Sequence, residues 1–118
     1  MQVQLNTDHH VVGTVGLTQH VESTVTSALS RFADKITRVE VHLNDMNSAK
    51  EVGDDKRCLI EVRVSGRQPV TVHHDAPTIA QAIDGAVHKS ARAVEKVFGK
   101  MEAHRHDATI SIQAADES

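Results

Sequence analysis

Between residue 2 and about residue 101 the apolar side chains of this chain switch between a period of two and a period near 3.6. The order of those switches limits the possible folds more than any single residue does. QVQLNT, residues 2 to 7, alternates with Val3 and Leu5 on one side, the pattern of a half-buried strand that Asp8, His9 and His10 end. From about Val15 the period lengthens: Leu17, Val21, Val25, Ala28, Leu29 and Phe32 recur at helical spacing, opposite a face of Thr, Ser, Gln and Glu. Thr14 stands where such a helix takes its N-cap. Alternation returns from Arg38 in RVEVHLN, with Val39, Val41 and Leu43 inward. DMNSAKEVGDDK, residues 45 to 56, is polar, contains Gly53 and has no period, which predicts a long, acidic, mobile hairpin loop. RCLIEVRVS then places Cys58, Ile60, Val62 and Val64 on one face, GRQP forms a turn, and VTVHH predicts a short fourth strand. A last helix starts near Thr78, whose spacing to Gln81 has the form of a capping box, and runs to about Gly99 or beyond.

Strand, helix, three strands, helix is an α+β arrangement, βαβββα. Two strands joined through a helix pair in parallel, and short connections make the last three an antiparallel meander. Each strand has one apolar face, so both helices are expected on one face of a four-stranded mixed sheet while the other face meets water. This layout is similar to that of double-stranded-RNA-binding domains. The expected folded domain spans residues 1–102, and residues 103–118 are expected to form a polar, acidic, flexible tail in which ATISIQ could add a short strand.

Composition excludes several functions. At 118 residues and 39% hydrophobic content the chain suits one domain. It has no apolar run long enough for a membrane and no signal-peptide pattern, so a cytoplasmic location is expected. Cys58 is the lone cysteine, which rules out an internal disulfide and a CxxC motif. With no Trp or Tyr, and only Phe32 and Phe98, the chain lacks aromatic platforms for unpaired bases. The His9/His10 and His73/His74 pairs fall at one end of the expected sheet but on opposite edges, about 14 Å apart, too far for one metal ion to bridge. Arg38, Glu40, His42, Glu61, Arg63 and His73 share the solvated face, where cross-strand charge pairs are the ordinary surface arrangement and no dry pocket exists. No metal, cofactor, small-molecule substrate or catalytic residue is expected.

The remaining signal is AIDGAVHKSARAVEKVFGK, residues 82 to 100, within a chain of net charge -3. Lys89, Arg92, Lys96 and Lys100 fall within about 80° of one another on a helix and about 145° from its apolar face. Exposed cations on a helix are ordinary surface. These are segregated, however, because Asp84, Glu95 and Glu102 lie to the side of the row. A row of uncompensated cations suits a row of phosphates.

The element order, the opening MQVQLNTDHH, VES at 21 to 23, and above all AID followed by KSARAVEK resemble the ribosome hibernation-promoting factor and ribosome-associated inhibitor A family, the sigma-54 modulation proteins. The similarity covers roughly residues 1–101. It implies a non-enzymatic βαβββα protein that binds the small (30S) ribosomal subunit in the mRNA and tRNA channel through basic helical contacts to 16S rRNA, inhibiting or protecting idle ribosomes under stress. It assigns Lys89, Arg92 and Lys96 to rRNA contacts, with Arg31 on the first helix at a further basic position. Arg31 and Lys35 are all that remain of the basic positions usual on that helix, and Lys100 extends the row of the last helix by periodicity alone. The chain departs from the family pattern at Thr24 and Ala28, where further basic residues are usual, and in its acidic 45–56 loop. Without a C-terminal dimerisation domain it resembles the short form, which leaves room for a weak homodimer. The alternative from a different class is a protein-interaction module of the same fold that pairs through its open sheet or edge strands and has weakened rRNA binding.

Overall fold

The computed structural model describes residues 1–8, 11, 13–45 and 55–105, with the side chains of the last helix as far as Gly99. Its elements are β1 (Gln2–Thr7), α1 (Val15–Ala28), a 3-10 helix (Ser30–Lys35), β2 (Ile36–Asp45), β3 (Lys56–Val64), β4 (Val70–Ala76) and α2 (Ile79–Arg105). The sheet order is β1-β2-β3-β4, with β1 parallel to β2 and the later pairs antiparallel. This is the mixed four-stranded sheet that the periods predict.

Register puts one apolar row after another beneath the helices. Val3, Val39, Val62 and Val70 align across the strands, and Leu5, Val41, Ile60 and Val72 form the next row. Val39, Val41, Leu43, Cys58, Ile60 and Val62 are fully buried against Val21, Val25 and Leu29 of the first helical stretch and Ile83, Ala86, Val94 and Phe98 of α2. Both helices begin at the threonines that the sequence marks. Thr14 Oγ1 accepts from Leu17 N at 3.0 Å, and Thr78 Oγ1 accepts from Gln81 N at 3.1 Å. The second cap is only half of a capping box: Gln81 Oε1 accepts from the Thr78 hydroxyl at 3.1 Å instead of from its backbone.

Four local differences from the sequence reading have physical causes. First, the helical stretch does not run unbroken to Phe32. It ends at Ala28 and tightens into the 3-10 helix, where Phe32 N bonds Leu29 O at 3.0 Å and relieves an orphan carbonyl at the helix end. Second, β2 begins at Ile36, ahead of Arg38. A register shift between Ile36 and Arg38 lets both Ile36 and Val39 reach the core, and Thr37 Oγ1 donates to Arg63 O at 3.1 Å. Third, Asp45 and Lys56 are ladder partners, not loop residues, held also by an ion pair at 3.5 Å. Fourth, β4 continues past His74 to Ala76, because Asp75 takes two hydrogen bonds from Arg57 on β3, at 2.7 and 3.0 Å. The turn between β3 and β4 is closed by Arg67 N on Val64 O at 3.2 Å and needs Gly66, whose φ is 73°. Residues 46–54, His9, His10 and the ATISIQ segment lie outside the described residues. α2 itself reaches Arg105, so the first residues after 102 are helical.

Candidate nucleic-acid interface

α2 is long because its 3.6 period is unbroken, and it buries one side on β3 and β4. Ile83, Val87, Val94 and Phe98 face the sheet, while Lys89, Arg92 and Lys96 are exposed on the other side. Lys100 belongs to the same helix, and its side chain lies outside the described residues. The three described cations are not equivalent. Lys89 leans toward the sheet, where its Nζ donates to His73 O on β4 at 3.1 Å. Arg92 and Lys96 make no hydrogen bond or ion pair with any described residue.

Arg31 and Lys35 sit on the 3-10 helix, not on α1. Phe32 and Phe98 stack with centroids 5.2 Å apart, which docks the 3-10 helix against the C-terminal half of α2. Arg31 lies over the Phe32 ring at 5.1 Å, and Lys35 lies over the Phe98 ring at 5.0 Å. Arg31 also pairs with Glu95 across 3.3 Å, although both side chains remain more than half exposed, at 72% and 59%. The predicted residues therefore form two groups, a row on α2 and a pair beside it, with Glu95 between them. Glu95 is turned to Arg31 and forms no ion pair with Arg92 or Lys96. The sequence reading missed that pairing and the Lys89 contact. Neither has a local signal, since the partners are separated by 64 and 16 residues.

The open sheet face differs from what its charges suggest in sequence. Glu40 lies directly opposite Glu61, and Arg38 opposite Arg63, so like charges face each other across the strands. The ion pairs run along each strand instead: Arg38 to Glu40 at 3.1 Å and Arg63 to Glu61 at 3.6 Å, with His42 Nε2 3.5 Å from Glu40. These offset the cross-strand repulsion. Elsewhere, the Arg57 guanidinium holds the Asp75 carboxyl below its usual range, and burial pushes the Cys58 thiol up to about 12. Such a thiol stays protonated and inert inside the core. Among the described residues no three His, Cys, Asp or Glu side chains converge in a way that could hold a metal ion. No described helix is long and apolar enough to cross a membrane.

Two helices on one face of a mixed four-stranded sheet, with exposed cations along the outer side of the second, of which Arg92 and Lys96 pair with no described residue, define a small α+β domain with one basic helix face. The chain matches the profile of the family described as sigma 54 modulation protein / S30EA ribosomal protein over residues 6–102, and it belongs to that family. Among solved structures, it is similar to the N-terminal domain of Protein Y from Thermus thermophilus, at 22% identity and a TM-score of 0.66, covering 82% of this chain and 99% of that one. It is also similar to a ribosomal subunit interface protein from Coxiella burnetii, at 17% identity and a TM-score of 0.65, covering 82% and 97%. At these identities the likeness concerns the fold. No curated protein gives a significant match.

Proposed function

We propose that this protein is a cytoplasmic, non-enzymatic factor that binds the small (30S) ribosomal subunit through backbone phosphates of 16S rRNA and holds idle ribosomes under stress or in stationary phase. The observation that carries this reading is that Arg92 and Lys96 have no hydrogen-bond or ion-pair partner among the described residues, beside a Glu95 already committed to Arg31. Membership in a family named for a ribosomal protein supports it. Lys89 joins the row by exchanging an exposed hydrogen bond to His73 O for a phosphate, an exchange of small cost at the surface. Arg31, Lys35 and Lys100 flank the row as secondary contacts.

The test is co-sedimentation with purified 30S particles. Changing Lys89, Arg92 and Lys96 together to Glu should abolish co-sedimentation and leave the melting temperature almost unmoved, since exposed charges contribute little to folding. Wild-type affinity should fall with salt at a log–log slope of about -0.7 to -0.9 per phosphate contact. Glu40→Lys and Arg63→Glu on the open sheet serve as controls and should bind normally. If the helix variant binds and the sheet variants do not, the domain is a protein-interaction module instead.

A further inference from the structure

The two edges of the sheet are unequal. On β4 the outward carbonyl of His73 is already occupied by Lys89, Asp75 places a charge nearby, and Pro69 and Pro77 bracket the strand. Covered carbonyls, charges and prolines are the means by which edge strands avoid pairing. β1 has none of them, for Gln2–Thr7 contains neither a charged residue nor a proline. Asp8 N bonds Leu43 O on β2 at 3.1 Å. Backbone groups of alternate residues point to opposite sides of a strand, so Gln4 and Asn6 bond to β2 while Val3, Leu5 and Thr7 direct their N–H and C=O groups outward. Among the described residues nothing bonds to those outward groups. The side chains there are incompletely covered as well. Val3 and Leu5 are only partly buried, and Met1, an exposed large hydrophobic, directly precedes the strand.

We propose that β1 pairs antiparallel with β1 of a second copy of this chain, about a two-fold axis at Leu5, joining two four-stranded sheets into one. A second copy is the fitting occupant because the strand reads alike in both directions. Val3, Gln4, Leu5, Asn6 and Thr7 run β-branched, amide, leucine, amide, β-branched. About the axis, Leu5 faces the partner's Leu5 and Val3 faces the partner's Thr7. All three outward residues then fall in directly bonded positions, and about six backbone hydrogen bonds form. On the open face Gln4 meets the partner's Asn6, and these amides enter the seam uncharged and already paired within each chain, Gln4 Nε2 donating to Asn6 Oδ1 at 3.3 Å and Gln4 Oε1 accepting from Arg38. No like charges are brought together, and the half-covered Val3 and Leu5 gain apolar neighbours. The interface is isologous, as closed dimers require. It uses a surface apart from α2, so it stands or falls independently of ribosome binding.

Sedimentation equilibrium of the full chain, from micromolar to millimolar concentration, should show the mass rising from one chain to two. Amide hydrogen exchange over the same range should show the Val3, Leu5 and Thr7 amides gaining protection, with Gln4 and Asn6 protected throughout. Thr7→Pro removes an outward donor from an exposed residue without touching the β1–β2 ladder. It should weaken the dimer at least tenfold at an unchanged melting temperature, whereas Arg92→Ala on α2 should not. A single-chain mass at millimolar concentration overturns the proposal, as does a dimer in which Val3, Leu5 and Thr7 exchange as fast as in the dilute protein.

Discussion

Asp75 and Arg57 show how far one pair of side chains can shape this domain. Arg57 sits near the start of β3, and its two hydrogen bonds to Asp75 extend β4 beyond the stretch that its hydrophobic alternation marks. The guanidinium lowers the Asp75 pKa from its ordinary 3.8. A carboxyl that ionises at lower pH when folded holds its proton more tightly when unfolded, so protons favour the unfolded chain. The pair therefore contributes fully above the unfolded value near 4 and loses that contribution as pH falls through the lower folded value. Thermal unfolding followed from neutral pH down into the acid range should show a stability loss that is shallower in Asp75→Asn. The change should be small, because the side chains are about one-third exposed at 35% and 29%. An identical acid profile in the variant would mean that the bidentate pair does not hold in solution.

At the level of elements, α2 lies close enough to β4 that one position admits only glycine. A Cβ at Gly85 would stand 2.1 Å from His74 Cδ2 and 2.4 Å from its Cγ, so the whole imidazole would have to move. Gly85→Ala should destabilise the domain despite the gain of about 1 kcal/mol that alanine brings to a helix interior, because overpacking costs about 1–3 kcal/mol. In a His74→Ala background the same change should stabilise. Chemical denaturation of the two singles and the double would read the coupling, and additive effects would show that the ring yields freely. This contact also marks where sequence reading ends. Periodicity located every strand and both helices, and Thr14 and Thr78 located the caps, because those signals depend on residues within one turn or one pleat. The 3-10 helix was hidden because Leu29 and Phe32 keep a spacing of three residues that suits either winding. Ile36 was hidden by a bulge that breaks strict alternation. The α2 cations could be read from one helix, but the hold on Lys89 and on Glu95 comes from distant segments and has no sequence period at all.

For the molecule as a whole, the Arg31–Glu95 contact bears on how a protein of net charge -3 can approach a polyanion. Glu95 stands beside the cation row on the same helix, and left unpaired it would repel phosphate from the row's edge. Arg31, borrowed from a separate element, cancels it. The contact is exposed, so Arg31 can let go at a cost on the order of 1 kcal/mol or less. On the proposed function it would work as a stored charge, screening Glu95 in the free protein and released toward phosphate on contact. Glu95→Gln should set that charge free in advance and raise affinity for 30S particles at low salt. Arg31→Ala, which bares Glu95, should lower it by more than the loss of one neutral surface contact. If neither substitution moves the binding curve, the 3-10 helix lies outside the interface. In that case the reach of the polyanion along this surface ends at Glu95, and α2 alone sets how many counterions the encounter can displace.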